Sequence, residues 1–410
     1  HMLCLYAVPL HCYCPSALDN TGFTMGSIGP VSTEFCCDIF KELRIQHARE
    51  NIVYSPVTII FGLSMVYLGA RDDTKAQIEK AVHFDKIPGF GASTESQCGT
   101  SLSIHTSLKD IFTQITKPSD NYLVSIASRL YAEETYPILP EYLQCVKELY
   151  KGGLEPISFQ KAAEQARDLI NSWVESQTNG MIKNILQPSS VNPQTDMVLV
   201  NAIFFKGLWE KAFKDEGTQT VPFRITEQES KPVQMMFQVG SFKVAEIPSQ
   251  KIRILEFPYL TGQLSLWVLL PDDISGLEQL ETAITFENLK EWTSSTKMEE
   301  RKIKVYLPRM KIAEKYNLTS VLTSLGITDL FSSSANLSGI SSAERLKVSS
   351  AFHEAFVEIS EAGSKVVGST EAGVDDTSVP EEFRADHPFL FVIKHNQSNS
   401  ILLFGRCFSP

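Results

Sequence analysis

The chain has 410 residues, 43% of them apolar, with 48 Asp and Glu against 37 Lys and Arg and a formal charge of −11. Ordinary apolar content excludes disorder and collagen, eight cysteines in this length exclude a disulfide mini-scaffold, and the acid excess disfavours nucleic acid as a partner. At roughly 150 residues per domain the length allows two or three units, and a single folded mass of this size would bury a large core without metal or disulfide staples.

His1-Met2 reads as a cloning remnant and Leu3 to Thr24 as a disordered N-terminal extension, so residues 1–24 are set apart from 25–410, with Met25 as a plausible native start. A secretory signal needs a basic start and an unbroken apolar stretch, and Pro9, His11 and Pro15 interrupt this one. His11, Cys12 and Cys14 have no second pair at zinc spacing, so no metal is expected.

Ser32 to Gln46 predicts a helix, with Ser32 as its cap and Phe35, Ile39 and Leu43 on one stripe. Asn51 to Ala70 carries no charge and 13 of its 20 residues are apolar. That length would span a bilayer, but Ser55 and Pro56 form a helix start, which favours a helix buried on all sides. Pro88 to Ser103 reads as a loop. Gly89-Phe90-Gly91 lacks the third glycine and the lysine that a phosphate cradle requires. Lys161 to Leu186 predicts a second helix, with Ala166, Leu169, Ile170, Trp173 and Val174 at helical spacing and Asn179-Gly180 near its end.

Strand patterns fill the second half. Met197 to Phe205 is apolar almost throughout, as a strand covered on both faces would be. Ile252 to Phe257 and Leu264 to Leu270 flank a turn containing Gly262. Ile303, Val305 and Leu307 alternate with Lys302, Lys304 and Tyr306, and Phe389 to Ile393 pairs with Ile401 to Phe404. Helices first and strands afterwards, without strict alternation, give an α+β class. Between two apolar strand patterns lies Glu361 to Glu382, which sets Glu361, Glu371, Asp375, Asp376, Glu381 and Glu382 against the single Lys365. A loop that long inside a compact fold is usually functional or disordered.

No metalloprotease, nucleophile-elbow or Walker motif is present, and the eight histidines stand in no catalytic spacing. Each histidine is better read as a surface or satisfied core residue, so no enzyme is expected.

Phe383 to Ile393 (Phe-Arg-Ala-Asp-His-Pro-Phe-Leu-Phe-Val-Ile) resembles the C-terminal motif of the serpin family. Asn51 to Pro56, Asn201 to Trp209, Leu270-Pro-Asp and Leu403-Phe-Gly-Arg resemble further serpin motifs in the right order. Leu139 to Tyr150 and Phe331 to Ile340 resemble the family's egg-white branch. The resemblance implies one serpin domain over 25–410, with three sheets, about nine helices and an exposed reactive-centre loop over about 361–382. It implies no cofactor.

Inhibitory serpins trap a protease by inserting the cleaved loop as a new strand in a sheet. Alignment to the family places the cleavage bond at Thr377–Ser378 and the hinge at Glu361, Gly363, Ser364, Lys365, Val366, Val367 and Gly368. Inserted, Ser364, Val366, Gly368, Thr370 and Ala372 would share one uncharged face, which permits burial. Against this, Val366 and Val367 are β-branched where inhibitors carry small residues, and Gly368 adds an ordering cost. Asp375 and Asp376 leave no basic or aromatic anchor for a trypsin-like or chymotrypsin-like pocket. Two readings follow: a non-inhibitory, secreted egg-white storage protein, or an inhibitor of an elastase-like serine protease. The partner in the second is a serine protease contacting the loop; neither reading involves nucleic acid or stable membrane association, and both take the chain as a monomer.

The resemblance also implies a disulfide between Cys98 and Cys145, while Cys36, Cys37 and Cys407 are expected as buried thiols. Asn317, Asn336 and Asn396 head formal glycosylation sequons, of which Asn317 matches the family site. Ser369, two residues before Glu371, matches a phosphorylation site of the branch. Export is expected through an internal uncleaved signal in Asn51 to Ala70.

Overall fold

The computed structural model describes residues 27–91, 98, 102–363 and 379–410. Among the described residues there are nine α-helices: α1 (Ile28–Gln46), α2 (Pro56–Gly69), α3 (Asp72–Val82), α4 (Leu102–Thr116), α5 (Pro140–Leu149), α6 (Phe159–Gln177), α7 (Leu277–Thr282), α8 (Phe286–Trp292) and α9 (Thr319–Ser324). The strands are β1 (Ile52–Tyr54), β2 (Tyr122–Glu133), β3 (Leu154–Ile157), β4 (Met197–Gly207), β5 (Gln219–Arg224), β6 (Ser230–Ile247), β7 (Ile252–Pro258), β8 (Leu264–Pro271), β9 (Glu299–Pro308), β10 (Met310–Asn317), β11 (Ser350–Ile359), β12 (Glu381–Arg384), β13 (Phe389–His395) and β14 (Ser400–Cys407).

The mixed α+β class and the helix number match the expectation. The described strands form two hydrogen-bonded sheets rather than three, one of nine strands and one of five. The cause is β6, which is 18 residues long. Its first part pairs with β5 and β9 and its last part with β7, so one continuous ladder joins what would otherwise be two sheets.

In the five-stranded sheet the order is β10-β11-β4-β2-β3. Strand β4 lies at its centre, and alternation sends its side chains into two different cores. Met197, Leu199, Ile203 and Phe205 enter the main core, while Val198, Val200, Ala202 and Phe204 pack with Ala166, Ile170 and Val174 of α6. This double cover explains the unbroken apolar run.

Several boundaries differ from the sequence reading. The segment Asn51 to Ala70 is not one helix: β1 precedes α2, because Pro56 pushes Ser55 into extended backbone (φ −111°, ψ 102°). Ser55 does cap α2, its Oγ accepting from the Thr58 amide at 3.2 Å, and every α2 residue except Leu68 is buried. No helix among the described residues is long and apolar enough to cross a membrane. Helix α1 begins at Ile28 with Pro30 in its first turn, so Ser32 is inside it. The Ser32 hydroxyl donates to the Gly29 carbonyl and accepts the Ile401 amide at 3.0 Å, tying α1 to β14. Helix α6 stops at Gln177, ahead of Asn179 (φ 52°) and Gly180 (φ 77°), and Leu169 faces solvent, off the buried stripe. At the other loop-like stretch, Leu102 and Ser103 already belong to α4, while residues 92–97 and 99–101 lie outside the described residues.

Candidate functional site

Strand β11 leads into the acidic loop, and its end is clamped. Beyond Ile359 the chain still follows the continuation of β4: the Trp209 amide donates to the Ala362 carbonyl at 3.1 Å and the Phe213 amide to the Glu361 carbonyl at 3.0 Å. The Trp209 indole Nε1 donates to the Ser360 carbonyl at 2.6 Å, and the ring stacks on Tyr259 at 4.4 Å. Gly363 bridges to Trp209 so closely that a Cβ there would stand 2.7 Å from the Trp209 oxygen and 2.8 Å from the Ala212 Cα. Glycine is therefore required by close approach.

Glu361 is the centre of the clamp. It is 6% exposed and accepts from Arg309 Nη2 at 2.6 Å, Arg309 Nε at 3.0 Å and Thr218 Oγ1 at 2.9 Å. Burial alone would raise its pKa, but the Arg309 and Thr218 bonds outweigh it and hold the carboxyl below its usual range. Such a fork is among the stronger polar contacts a protein makes.

Below the clamp, β11 and β4 are joined in parallel over nine residue pairs, from Ser350↔Val198 to Glu358↔Lys206. A new strand between them would have to part this seam. Lys206 Nζ and Glu358 close its upper end at 2.8 Å. Beneath it lies a buried polar group: His353 faces Asn201 across the seam, and the Ser55 amide donates to His353 Nε2 at 3.0 Å. The Ser128 hydroxyl donates to Asn201 Oδ1 at 2.5 Å. Burial pushes the His353 pKa down to about 3, so the ring is neutral at physiological pH.

The loop's other end is held differently. Strand β12 pairs in parallel with β9 over four positions, and Phe383 is fully buried. Glu381 accepts from Arg253 Nη1 and Arg301 Nη1, each at 3.2 Å, and Arg253 also donates to the Glu382 carbonyl at 2.7 Å. Arg301 reaches Glu246 and Glu299 as well, so the charges form a surface network.

Of the site residues named from sequence, Glu361 and Gly363 come together in the clamp. Ser364, Lys365, Val366, Val367, Gly368, Ser369, Thr377 and Ser378 lie outside the described residues. The expected loop end is corrected, because Glu381 and Glu382 already belong to β12. Cys98 and Cys145 are bonded, with Cα atoms 5.3 Å apart, and Cys36, Cys37 and Cys407 are buried thiols. Asn317 is exposed, its Oδ1 accepting the amide and hydroxyl of Thr319 within the sequon. The amide nitrogens of Asn336 and Asn396 are instead engaged, with Asp72 and with the Gly262 carbonyl respectively. Sequence reasoning missed Arg309, Thr218, Arg253 and Arg301. Trp209 was visible as the end of a motif, but nothing in the motif assigned it to the loop base.

The family model described as "Serpin (serine protease inhibitor)" matches residues 30–410. Ovalbumin from Meleagris gallopavo is 72% identical over 386 residues, which is 94% of this chain and all of that protein. A crystal structure of uncleaved ovalbumin superposes with a TM-score of 0.87 at 68% identity, covering 93% of this chain and all of the other. A loop-inserted structure of a cleaved ovalbumin mutant gives a TM-score of 0.83 at 64% identity, covering 94% and 100%.

Proposed function

The chain belongs to the serpin family, and from that premise we propose that it is a non-inhibitory, ovalbumin-like storage protein of egg white that performs no catalysis. The observation that carries this reading is the junction of clamp and hinge. Glu361 is buried and held by the Arg309 fork, and the sequence then presents Val366, Val367 and Gly368 where rapid threading needs small, easily ordered residues. A protease that cut the loop would be released before the seam opened. The 72% identity to ovalbumin along the whole fold supports the same conclusion.

Insertion and inhibition are separate properties. Ser364 carries no charge, and a cleaved, loop-inserted ovalbumin mutant shares this fold. Slow insertion after cleavage is therefore compatible with a storage role. The deciding experiment is incubation with elastase followed by denaturing gels: cleavage at Thr377–Ser378 without a detergent-stable complex is expected. A stable complex would overturn the proposal in favour of an elastase-like protease as target. A melt of the cleaved product reads insertion independently.

Secretion uses the internal segment Asn51 to Ala70 as an uncleaved signal. In the folded chain Ile52 to Tyr67 are all buried, so any recognition of this segment precedes folding. Ile60→Lys with Val66→Lys should block translocation into microsomes in a cell-free system, which reads entry rather than folding; undiminished entry would rule the signal out. Asn317, with its side-chain amide nitrogen making no hydrogen bond among the described residues, is the glycan acceptor in this reading, and Ser369 the phosphate acceptor. The chain acts as a monomer.

A further inference from the structure

Helix α6 and the connection that follows it to β4 cover one face of the five-stranded sheet. The strand register sets a row across that face: Ala127 of β2 stands beside Ala202 of β4, Ala202 beside Glu354 of β11, and Glu354 beside Lys315 of β10. Phe352 and Phe356 lie two positions from Glu354 on either side and point the same way. The same core holds Ile170 and Val174 of α6 and Ile182, Ile185 and Leu186 of the connection. Glu354 is thus a carboxylate set in an apolar layer.

Two glutamates share this face and differ in their partners. Glu358, four residues along β11, pairs with Lys206 at 2.8 Å and with Lys311 at 3.1 Å. Burial alone would raise its pKa, but the two lysines outweigh it and hold the carboxyl below its usual range. Glu354 is 8% exposed, and its buried Oε2 has no hydrogen-bond partner among the described residues. Lys315 stands directly opposite, yet its Nζ donates to the Asn184 carbonyl of the connection at 2.9 Å. The lysine has two acceptors to choose from and is bonded to the uncharged one, the weaker partner. Burial raises the Glu354 pKa, and Lys315 opposes that only in part.

We propose that Glu354 and Lys315 form a pH-sensitive latch on the connection between α6 and β4. With Glu354 protonated, Lys315 holds the connection down through Asn184. With Glu354 ionised, the balance moves toward a lifted connection, in which water and Lys315 reach the carboxylate. The reason is that an unpaired buried charge costs more than a neutral group, and only the closed form carries that cost. No other charge offsets it on this face. Strands β2 and β4 contribute Ala127 and Ala202, and α6 contributes Ile170 and Val174. Lys206 and Lys311 are taken by Glu358, Lys183 of the connection is exposed, and Glu314 lies on the other face of β10. Because Glu354 faces Ala202 across the β11–β4 seam, lifting the connection uncovers the seam itself. The latch shares no residue with the loop anchors and is independent of the storage reading.

Native-state amide exchange of the full chain tests the latch at Ile182 and Leu186, whose amides donate to Thr178 Oγ1 and Asn171 Oδ1. At pH 7.5 Glu354→Gln should slow the opening of both about tenfold, as relief of an unpaired buried charge implies. The folded pKa of Glu354 lies above its usual 4.5, so the stability gained by protonation is complete below about pH 4.5 and lost as pH rises through the raised value. The ratio of opening in the native chain to opening in the variant should therefore fall from about ten toward one as pH approaches 4. Using the ratio removes His353 and His105, which titrate in both chains. Equal opening of the two chains at pH 7.5, or a ratio that does not change with pH, would overturn the latch. Should Glu354→Gln fail to fold, Lys315→Met decides. It should speed opening about threefold at pH 4.5 and less at pH 7.5, because only ionised Glu354 competes for the lysine. Equal acceleration at both values would overturn the proposal.

Discussion

The two ends of the loop are fastened by different physics. At the β11 end the chain is held by main-chain bonds to Trp209 and Phe213 and by one carboxylate, Glu361, buried against Arg309 and Thr218. At the β12 end a four-residue strand is paired with β9, and its charged groups sit in a partly exposed network around Glu381. The first attachment depends on a few groups, foremost the buried Trp209 ring and Glu361 carboxylate. The second is spread over ladder bonds and screened charges. Perturbing single side chains should therefore loosen the β11 end far more than the β12 end.

The largest effect is expected at Trp209. Replacement by alanine removes a side chain that is 2% exposed, its stacking on Tyr259 and the bond to the Ser360 carbonyl. Truncation of a buried aromatic costs about 3–5 kcal/mol. Urea unfolding should show that loss, and limited proteolysis should show faster cutting near Ala362. A loss under about 1 kcal/mol would mean the ladder alone secures this end.

Acid should act on the same end. His353 has its pKa lowered from 6.5 to about 3 by burial. The unfolded chain therefore binds the proton first, and the stability that neutral His353 provides is complete above about pH 6.5 and lost progressively toward pH 3. Glu361, whose pKa lies below its usual 4.5, adds a loss that begins lower, as pH falls through its depressed value. Stability measured between pH 7.5 and pH 5 should thus decline through the seam and also through His105 of α4, which burial likewise lowers from 6.5 to about 3. His353→Gln should flatten that slope, and an unchanged slope would move the effect to other groups.

Much of this arrangement was readable before the fold was known, and the remainder was hidden for physical reasons. Strand β4 declared itself because both of its faces are buried, and β9 because only one is. Ser55 was legible as a cap since the Ser-Pro pair acts locally. Ser32 was misread because Pro30 is tolerated within a first helical turn, so the true start lay upstream of the apparent signal. Acid composition marked the loop, yet its clamp was invisible. Arg309 meets Glu361 across 52 residues, and Trp209 meets Ser360 across 151. Local patterns carry no information about such pairings.

Glu361→Gln keeps the shape of the clamp and removes its charge. Hydrogen bonds to a charged partner are worth about 1.5–3 kcal/mol, and Arg309 is 45% exposed, so water compensates part of the loss. About 1.5 kcal/mol is expected in urea unfolding. Glutamine still accepts one bond, so the loop base should remain folded while its local opening, read by amide exchange at Glu361 to Gly363, becomes faster.

The smallest effect is expected from Arg253→Ala. Glu381 keeps Arg301, the β12–β9 ladder is untouched, and both partners of the lost pair are about a quarter exposed (24% and 29%). Exposed pairs of this kind contribute under about 1 kcal/mol. The substitution also removes the guanidinium 5.3 Å from the Phe383 ring and the bond to the Glu382 carbonyl, so the loss should be measurable but below that of Glu361→Gln. The contrast between the two ends rests on that order. If Arg253→Ala cost as much as Glu361→Gln, the network at β12 would be a second clamp rather than a screened support. The loop would then be restrained equally at both ends, and the slow insertion proposed for it could no longer be assigned to the β11 side alone.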